Sequence, residues 1–387
     1  MRPASLPKNV VALGLVSLLT DASSEMILPL LPLFLTTVLH AGATSLGAIE
    51  GAAEATASLL KLVSGRWTDA TGKRRPFVLL GYGISSVARP IVALATAPWH
   101  VLAVRMADRV GKGLRTSPRD ALLSLAVDPS TRGAAFGFHR AMDHAGAILG
   151  PALAIGVLTL FPGDLRLVFA LAAIPGILAV AAIAFLVTEP PGGAPKKSPG
   201  FAAPGPRLRA LLVPLGLFTL GNASDAFLLL AVARAGRSPL ELPVLWMAFH
   251  VVKVATSLAA GPLSDRLNRR FLLAAGWIVY ALVYAGFAFA SDLGTQTALF
   301  LVYGAYHGLT EGAEKALIAD LSSEEDRGAA YGWVALTVGL LAFPASLGFG
   351  VLWDEFGPAV PFLTGSALAL SAVVALLAMN RETVGRA

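Results

Sequence analysis

Residues 65–75 read GRWTDATGKRR, and residues 261–270 read GPLSDRLNRR. Gly65 and Asp69 of the first stretch match Gly261 and Asp265 of the second, 196 positions on. A second pair of stretches repeats the coincidence. DPSTRGAAFGF at 128–138 matches SSEEDRGAAYGW at 322–333 through Arg132 and Arg327, 195 positions apart. Two matches at nearly one spacing argue for a duplicated half. Between the copies lies EPPGGAPKKSPGFAAPGPRL, residues 189–208, whose Pro, Gly and basic residues read as a linker. The expected organisation is a first half at 1–188, a cytoplasmic linker at 189–208 and a second half at 209–387.

Composition says what each half is made of. Only 14% of the 387 residues are charged and 56% are hydrophobic, with a mean hydropathy of +0.70. Soluble domains are about a quarter charged, so this much apolar surface has to face lipid. A spanning helix needs roughly 20 largely apolar residues. Six such segments precede the linker, near 10–38, 45–66, 77–97, 99–126, 132–161 and 166–188. Six follow it, near 209–233, 241–263, 271–291, 296–319, 328–352 and 358–379. The first is too long and too charged for a cleaved signal peptide and reads as retained. With the amino terminus inside, the cytoplasmic loops collect 16 Lys and Arg, and the outer loops only Arg166, Arg234 and Arg237. The basic balance therefore reports topology and calls for no nucleic acid. There is no cysteine, so no disulfide or thiolate metal site. The expected fold is an all-α membrane protein of twelve transmembrane helices in two pseudo-symmetric six-helix bundles, with both termini cytoplasmic. Parallel halves of this kind, with a site between them near mid-membrane, are a transporter architecture.

The repeated stretch resembles motif A of the major facilitator superfamily, G-x-x-x-D-x-x-G-[RK]-[RK]. Gly65, Asp69, Gly72, Lys73 and Arg74 occupy its positions, with Ala70 where the family often has Arg. The second copy keeps Gly261, Asp265, Arg266, Arg269 and Arg270 but has Asn268 for the second Gly. Arg105 resembles the motif B arginine. Gly146 to Gly150-Pro151 looks like a reduced motif C, which the family associates with antiporters, although Ala152 to Ile155 stand where further glycines are expected. The resemblance covers the whole chain. It implies that the motif A loop latches the two halves in the outward-facing state. An Asp at a helix end can also face another helix's amino terminus, where negative charge is favoured.

Acids well inside the spans include Asp21, Glu25, Glu50, Glu54, Asp108, Asp143, Asp225, Glu311 and Glu314. Bases include Lys61, Arg89, Arg105, Arg109, Lys112, Arg115, Arg119, Arg140, Lys253 and Lys315. At about 3 kcal/mol for each charge facing lipid, these would cost more than ~50 kcal/mol. They must face a watery cavity or each other. The densest run, DRVGKGLRTSPRD at 108–120, agrees. With Arg105 before it, its charges recur every three or four residues and form one helical stripe. Gly111-Lys112-Gly113 departs from a phosphate-binding P-loop. Segments 3, 6, 9 and 12 carry no mid-span charge apart from Arg89. They read as lipid-facing, and the resemblance makes the same four the outer helices.

Depth sorts the candidates. Arg109, Lys112, Arg105, Arg115, Lys253, Tyr303 and His307 are the expected substrate residues. Glu25, Asp21, Glu54, Asp108, Asp225, His250 and Glu311 are the proton-coupling candidates, because a desolvated carboxylate or an imidazole can load and release protons. Arg119, Asp120, Arg140 and Asp143 lie nearer the cytoplasm and join Gly65, Asp69, Gly72, Lys73, Arg74, Gly261, Asp265 and Arg269 as gating residues. Several mid-depth bases without a dominant acidic patch point to an anionic or zwitterionic solute such as an organic acid, a phosphorylated metabolite or a siderophore. The expectation is a proton-coupled, alternating-access secondary transporter, with export favoured by the Gly146–Pro151 stretch.

Two alternatives stand beside it. A multidrug, lipophilic-cation proton antiporter would show one acid in an aromatic, largely uncharged cavity. A transition-metal transporter would use His139, Asp143, His144, His250, His307 and Glu311 as ligands, against the repulsion of neighbouring Arg and Lys. No nucleophile–base pair or nucleotide motif argues for an enzyme. The expected partners are a small-molecule substrate and membrane lipid. H+ is the coupling ion, there is no cofactor, and a monomer sits in a bacterial-type inner membrane.

Overall fold

A computed structural model describes residues 7–71, 73–127, 132–189, 203–322 and 327–379, except the side chains at 62, 65, 66, 68–70, 132–134, 261–266 and 327–329. Gly72 and the side chains of Gly65, Asp69, Gly261 and Asp265 thus lie outside the described residues, as does most of the expected linker. The described chain is helical. In order, the helices are α1 (Lys8–Glu25), α2 (Ala43–Thr71), α3 (Arg75–Ile91), α4 (Pro98–Leu125), α5 (Arg132–Leu160), α6 (Leu165–Leu171), α7 (Ala173–Leu186), α8 (Pro206–Gly221), α9 (Ala226–Arg234), α10 (Glu241–Arg266), α11 (Arg269–Phe289), α12 (Leu293–Asp320), α13 (Arg327–Phe356) and α14 (Ala359–Ala378). Short 3-10 and π turns continue α1 to Val38.

Local chemistry sets the helix ends. Pro98 and Pro206 occupy first-turn positions, where a missing N–H costs nothing. The Asp164 carboxylate accepts from Leu167 N at 2.9 Å, and that of Asp292 from Thr295 N at 2.8 Å. The Thr295 amide holds the Asp292 carboxyl below its ordinary range. Gly163 and Gly357 turn the chain at φ +79° and +80°, where a side chain would be strained.

Nine helical stretches among the described residues are long and apolar enough to cross a membrane: Lys8–Val38, Arg75–Leu94, Ala135–Leu160, Leu165–Leu186, Pro206–Arg234, Glu241–Ala260, Arg269–Phe289, Ala330–Phe356 and Ala359–Ala378. The helices α2, α4 and α12 are 29, 28 and 28 residues long. Length is not what keeps them off that set. They carry many of the chain's ionisable residues. Large exposed apolar side chains line α3, α7, α11 and α14, including Leu80, Val87, Ile177, Phe185, Leu282 and Val374. These are the four segments whose sequence lacks mid-span charge, apart from Arg89.

The chain folds as two compact units. Unit 1 is Met1–Phe34 with Thr56–Ser198; unit 2 is Leu35–Ala55 with Pro199–Ala387. In unit 1, α1 packs on α5 and α7, and α3 on α4 and α7. In unit 2, α8 packs on α13 and α14, and α11 on α12 and α14. The pairing is the same in both, position for position. Details repeat as well. Arg75 donates to Ala184 O at 2.7 Å, and Arg270, 195 positions on, donates to Leu376 O at 2.8 Å. Each arginine ties the start of one helix to the last carbonyls of another.

Gly81 lets α3 and α4 approach to backbone contact. A Cβ there would sit 2.6 Å from Gly111 O and 2.7 Å from Arg115 Cβ. Gly81→Ala is expected to cost about 1–3 kcal/mol through overpacking. Gly83→Ala, two residues on in the same helix with nothing within 4 Å of its new Cβ, is expected to cost nothing. Melting temperatures of the two purified variants check this; equal values would refute the close packing.

Candidate functional site

The α4 stripe is not all of one kind. Its charges spread over an arc of about 120° at 100° per residue. Asp108 and Arg115 sit at the edge that faces α3. The Asp108 carboxylate is 2% exposed and accepts from Arg89 Nε at 2.9 Å. A second Arg89 nitrogen reaches Thr20 O at 2.8 Å, and Arg105 lies 3.8 Å from the other Asp108 oxygen. Arg115 donates to Ser85 Oγ at 2.7 Å and stacks over the Tyr82 ring at 4.2 Å. Arg105, Asp108 and Arg115, placed on the sequence stripe with Arg109 and Lys112, are therefore engaged in the interior of unit 1. Arg109 and Lys112, from the rest of the arc, are half-buried. A small cavity lined by Ser24, Ile27, Val92 and Val104 ends at Arg89, Arg105 and Asp108.

The remaining unit 1 candidates form local pairs. Arg119 binds Asp120 through two nitrogens at 2.9 and 2.8 Å. Asp143 accepts from Ser17 Oγ and lies 3.6 Å from both His139 and Arg140. Asp21, Glu25 and His144 are half-buried, and Glu25 ends α1. Of the loop residues, Lys73 N donates to Thr71 Oγ1 at 3.4 Å. The Arg74 and Arg75 amides donate to the Glu189 carboxylate at 3.0 and 2.7 Å. Sequence reading missed Glu189, which caps α3 from 114 positions away.

Unit 2 gathers a different set. The chain breaks between α8 and α9 at residues 222–225, and Asp225 stands at the break. Tyr303 Oη donates to Asp225 Oδ1 at 2.7 Å. The other Asp225 oxygen lies 3.7 Å from His307 Nε2, and His307 Nδ1 lies 3.7 Å from Glu311. Lys253 Nζ closes the chain on the same Glu311 oxygen at 2.6 Å. One base from α10, two groups from α12 and one acid at a helix break thus form a continuous run. Phe249, Tyr303 and Tyr306 wall the His307 ring, with centroids 5.6, 5.1 and 4.7 Å away. The His250 ring packs on Trp246 and Phe249. Glu54, in the part of α2 that belongs to unit 2, is half-buried. Arg269 pairs with Asp320. Asn222, whose Nδ2 donates to Tyr306 Oη at 3.3 Å, was not singled out by the sequence.

The six metal-ligand candidates divide, with His139, Asp143 and His144 in unit 1 and His250, His307 and Glu311 in unit 2. Among the described residues, no group of three or more His, Cys, Asp or Glu converges to hold a metal ion.

The chemistry follows from the charges. With His307 neutral, Asp225, Glu311 and Lys253 sum to one negative charge; with His307 protonated they sum to zero. The charge of the run thus depends on the protonation of one imidazole. Broken helices that bring ionisable groups into an apolar bundle are what a secondary transporter uses at its site.

The protein is a multi-pass membrane transporter, not an enzyme. The model of the Major Facilitator Superfamily matches residues 13–236 and 215–386, and the chain belongs to that superfamily. It is 35% identical over 381 residues to an uncharacterised MFS-type transporter of Methanocaldococcus jannaschii, covering 96% of this chain and 95% of that protein. A solved POT family transporter in complex with 5-aminolevulinic acid shares the fold at a TM-score of 0.82 with 11% identity, over 98% of this chain and 97% of that one. A human organic anion transporter does so at 0.69 with 18% identity, over 95% and 99%.

Proposed function

We propose that the protein is a proton-coupled secondary transporter of a small anionic or zwitterionic organic solute, working by alternating access. The observation that supports it best is the Asp225–His307–Glu311–Lys253 run, an imidazole linked to a base through a shared carboxylate. Arg109 and Lys112 supply further positive charge on α4, and Glu25 and Glu54 add carboxylates that can carry protons. In this reading α2, α4 and α12 also span the bilayer, which makes twelve spans with both termini cytoplasmic. The chain works as a monomer in a bacterial-type inner membrane. The solute is of organic-acid, phosphorylated-metabolite or siderophore type, and the glycines at Gly146–Pro151 favour export.

A thermal-shift screen of the purified protein tests this, with pools of organic anions, lipophilic cations and divalent metals. A ligand present at 100 times its Kd stabilises by about 2.7 kcal/mol. The expected result is stabilisation by a member of the anion pool, cancelled by Lys112→Gln. Stabilisation by lipophilic cations alone would overturn the reading.

A further inference from the structure

The break between α8 and α9 is held open from several sides. Gly221-Asn222-Ala223-Ser224-Asp225 contains three short polar side chains of the kind that compete with a helix for its own backbone groups. The Ser224 amide donates to Ser346 Oγ at 3.3 Å, and the Ala226 amide to Ser224 Oγ at 3.3 Å. Gly221 O accepts from Tyr280 Oη at 2.7 Å, and Asn222 Nδ2 donates to Tyr306 Oη at 3.3 Å. Side chains of α11, α12 and α13 thus fix the segment. In unit 1 the chain leaves α1 with its ladder intact, since Met26 N donates to Ala22 O at 3.2 Å and Ile27 N to Ser24 O at 3.1 Å.

The break strands two carbonyls. A continuing helix would return the Ala226 and Phe227 amides to Asn222 O and Ala223 O. Both amides go to Ser224 instead, the first to its hydroxyl and the second to its carbonyl at 3.0 Å. Among the described residues neither Asn222 O nor Ala223 O has a donor. Ala223 is 3% exposed, and a buried carbonyl without a partner calls for a water or an ion. Two residues on, Asp225 uses Oδ1 to accept from Tyr303 Oη. Its Oδ2 faces the His307 ring at 3.7 Å, beyond hydrogen-bond length. The Lys253 ammonium is taken by Glu311.

These oxygens belong together chemically. They lie within four residues at the carboxyl end of a half-helix, where the dipole is negative. Unwound carbonyls at such an end are what broken membrane helices use to coordinate a small cation. A single carboxylate with neutral oxygens suits a monovalent ion better than a divalent one, which calls for more negative charge or for imidazole. Asn222, Ser224 and Asp225 are half-buried rather than closed off, which leaves an ion a way in.

We propose that the break binds a monovalent metal cation of Na+ size through Asn222 O, Ala223 O and Asp225 Oδ2. Tyr280, Tyr306 and Ser346 hold the segment in the shape that exposes these oxygens. Bound there, the ion cancels the Asp225 charge and favours an anionic solute beside it. That consequence rests on the function proposed above; ion binding itself does not. A failed solute screen therefore leaves the ion site standing, and a failed ion assay leaves the solute reading standing.

Equilibrium binding of radiolabelled Na+ to the purified protein in detergent tests this, at one pH and with choline holding the ionic strength. The expected result is saturable binding of a single ion per chain that choline does not displace. Asp225→Asn, whose amide oxygen still accepts from Tyr303, should weaken it about tenfold or more. Ser346→Ala removes the acceptor of the Ser224 amide without touching a ligand and should weaken it about tenfold, the scale of outer-shell partners. Asp354→Asn is the control. That carboxylate lies in the same unit and accepts from Ala43 N at 2.9 Å and Thr44 N at 2.8 Å, and its loss should leave the affinity unchanged. The proposal falls if the wild type shows no saturable Na+ binding, or if Asp225→Asn or Ser346→Ala binds as the wild type does. It falls too if Asp354→Asn weakens binding as much as Asp225→Asn, which would make the ion part of a general counterion atmosphere.

Discussion

Asp108→Ala is expected to cost the folded protein about 3–5 kcal/mol, because it strands a guanidinium in the interior of unit 1. Arg89 is 6% exposed and Arg105 5%, and the Asp108 carboxylate stands between them. With it gone, Arg89 keeps Thr20 O but loses its ion-pair partner. Lower monodisperse yield and a lower melting temperature in detergent are the measurements. The duplication supplies the control. Tyr284 and Tyr303 lie 195 positions beyond Arg89 and Asp108, with ring centroids 6.3 Å apart and both side chains fully buried. At this position the same helix pair therefore packs in unit 2 through aromatic rings in place of an ion pair. Arg89→Met combined with Asp108→Leu is expected to recover most of the loss, the remainder being the burial of Arg105. An Asp108→Ala protein that melts with the wild type would refute the buried pair.

Lys253→Gln is expected to weaken binding of an anionic ligand by about thirtyfold or more, the effect of truncating one partner of a close charge pair, ~2–5 kcal/mol. The substitution removes the positive charge held 2.6 Å from Glu311 and leaves two carboxylates flanking His307. Direct binding of whichever anion stabilises the wild type measures it, and unchanged affinity would remove Lys253 from the site. His307→Gln separates the proton from the base. Protonating His307 takes the run from one negative charge to zero, so anion binding in the wild type should strengthen as pH falls through the histidine range. The Gln variant should bind with that pH dependence flattened, because His307 is the one imidazole in the run.

Much of this was legible in the sequence. Gly65/Gly261 and Arg132/Arg327 announced the repeat, and the structure carries it into the shared pairing of helices and into Arg75 and Arg270. The apolar faces of α3, α7, α11 and α14 follow from segments short of charge. His307 and Glu311 could be placed together because four residues make one helical turn, and Tyr303 joins them by the same rule. The α4 charges form a stripe, as their spacing says, but the spacing does not say what each of them meets. Which edge of the stripe meets α3 depends on how far the helix is rotated, and the close approach of Gly81 to Gly111 sets that rotation.

The sequence by itself determined the helices, their apolar faces, the duplication and the superfamily, because each of these is written in local hydropathy, in spacing or in a repeated motif. Only the tertiary structure decided which charges meet. Asp108 chose Arg89, Asp225 took Tyr303 and His307, and Asp354 capped a helix 310 positions away. A carboxylate's partner in an apolar bundle is whichever donor the packing of distant helices brings within about 3 Å. No periodicity along the chain encodes that distance.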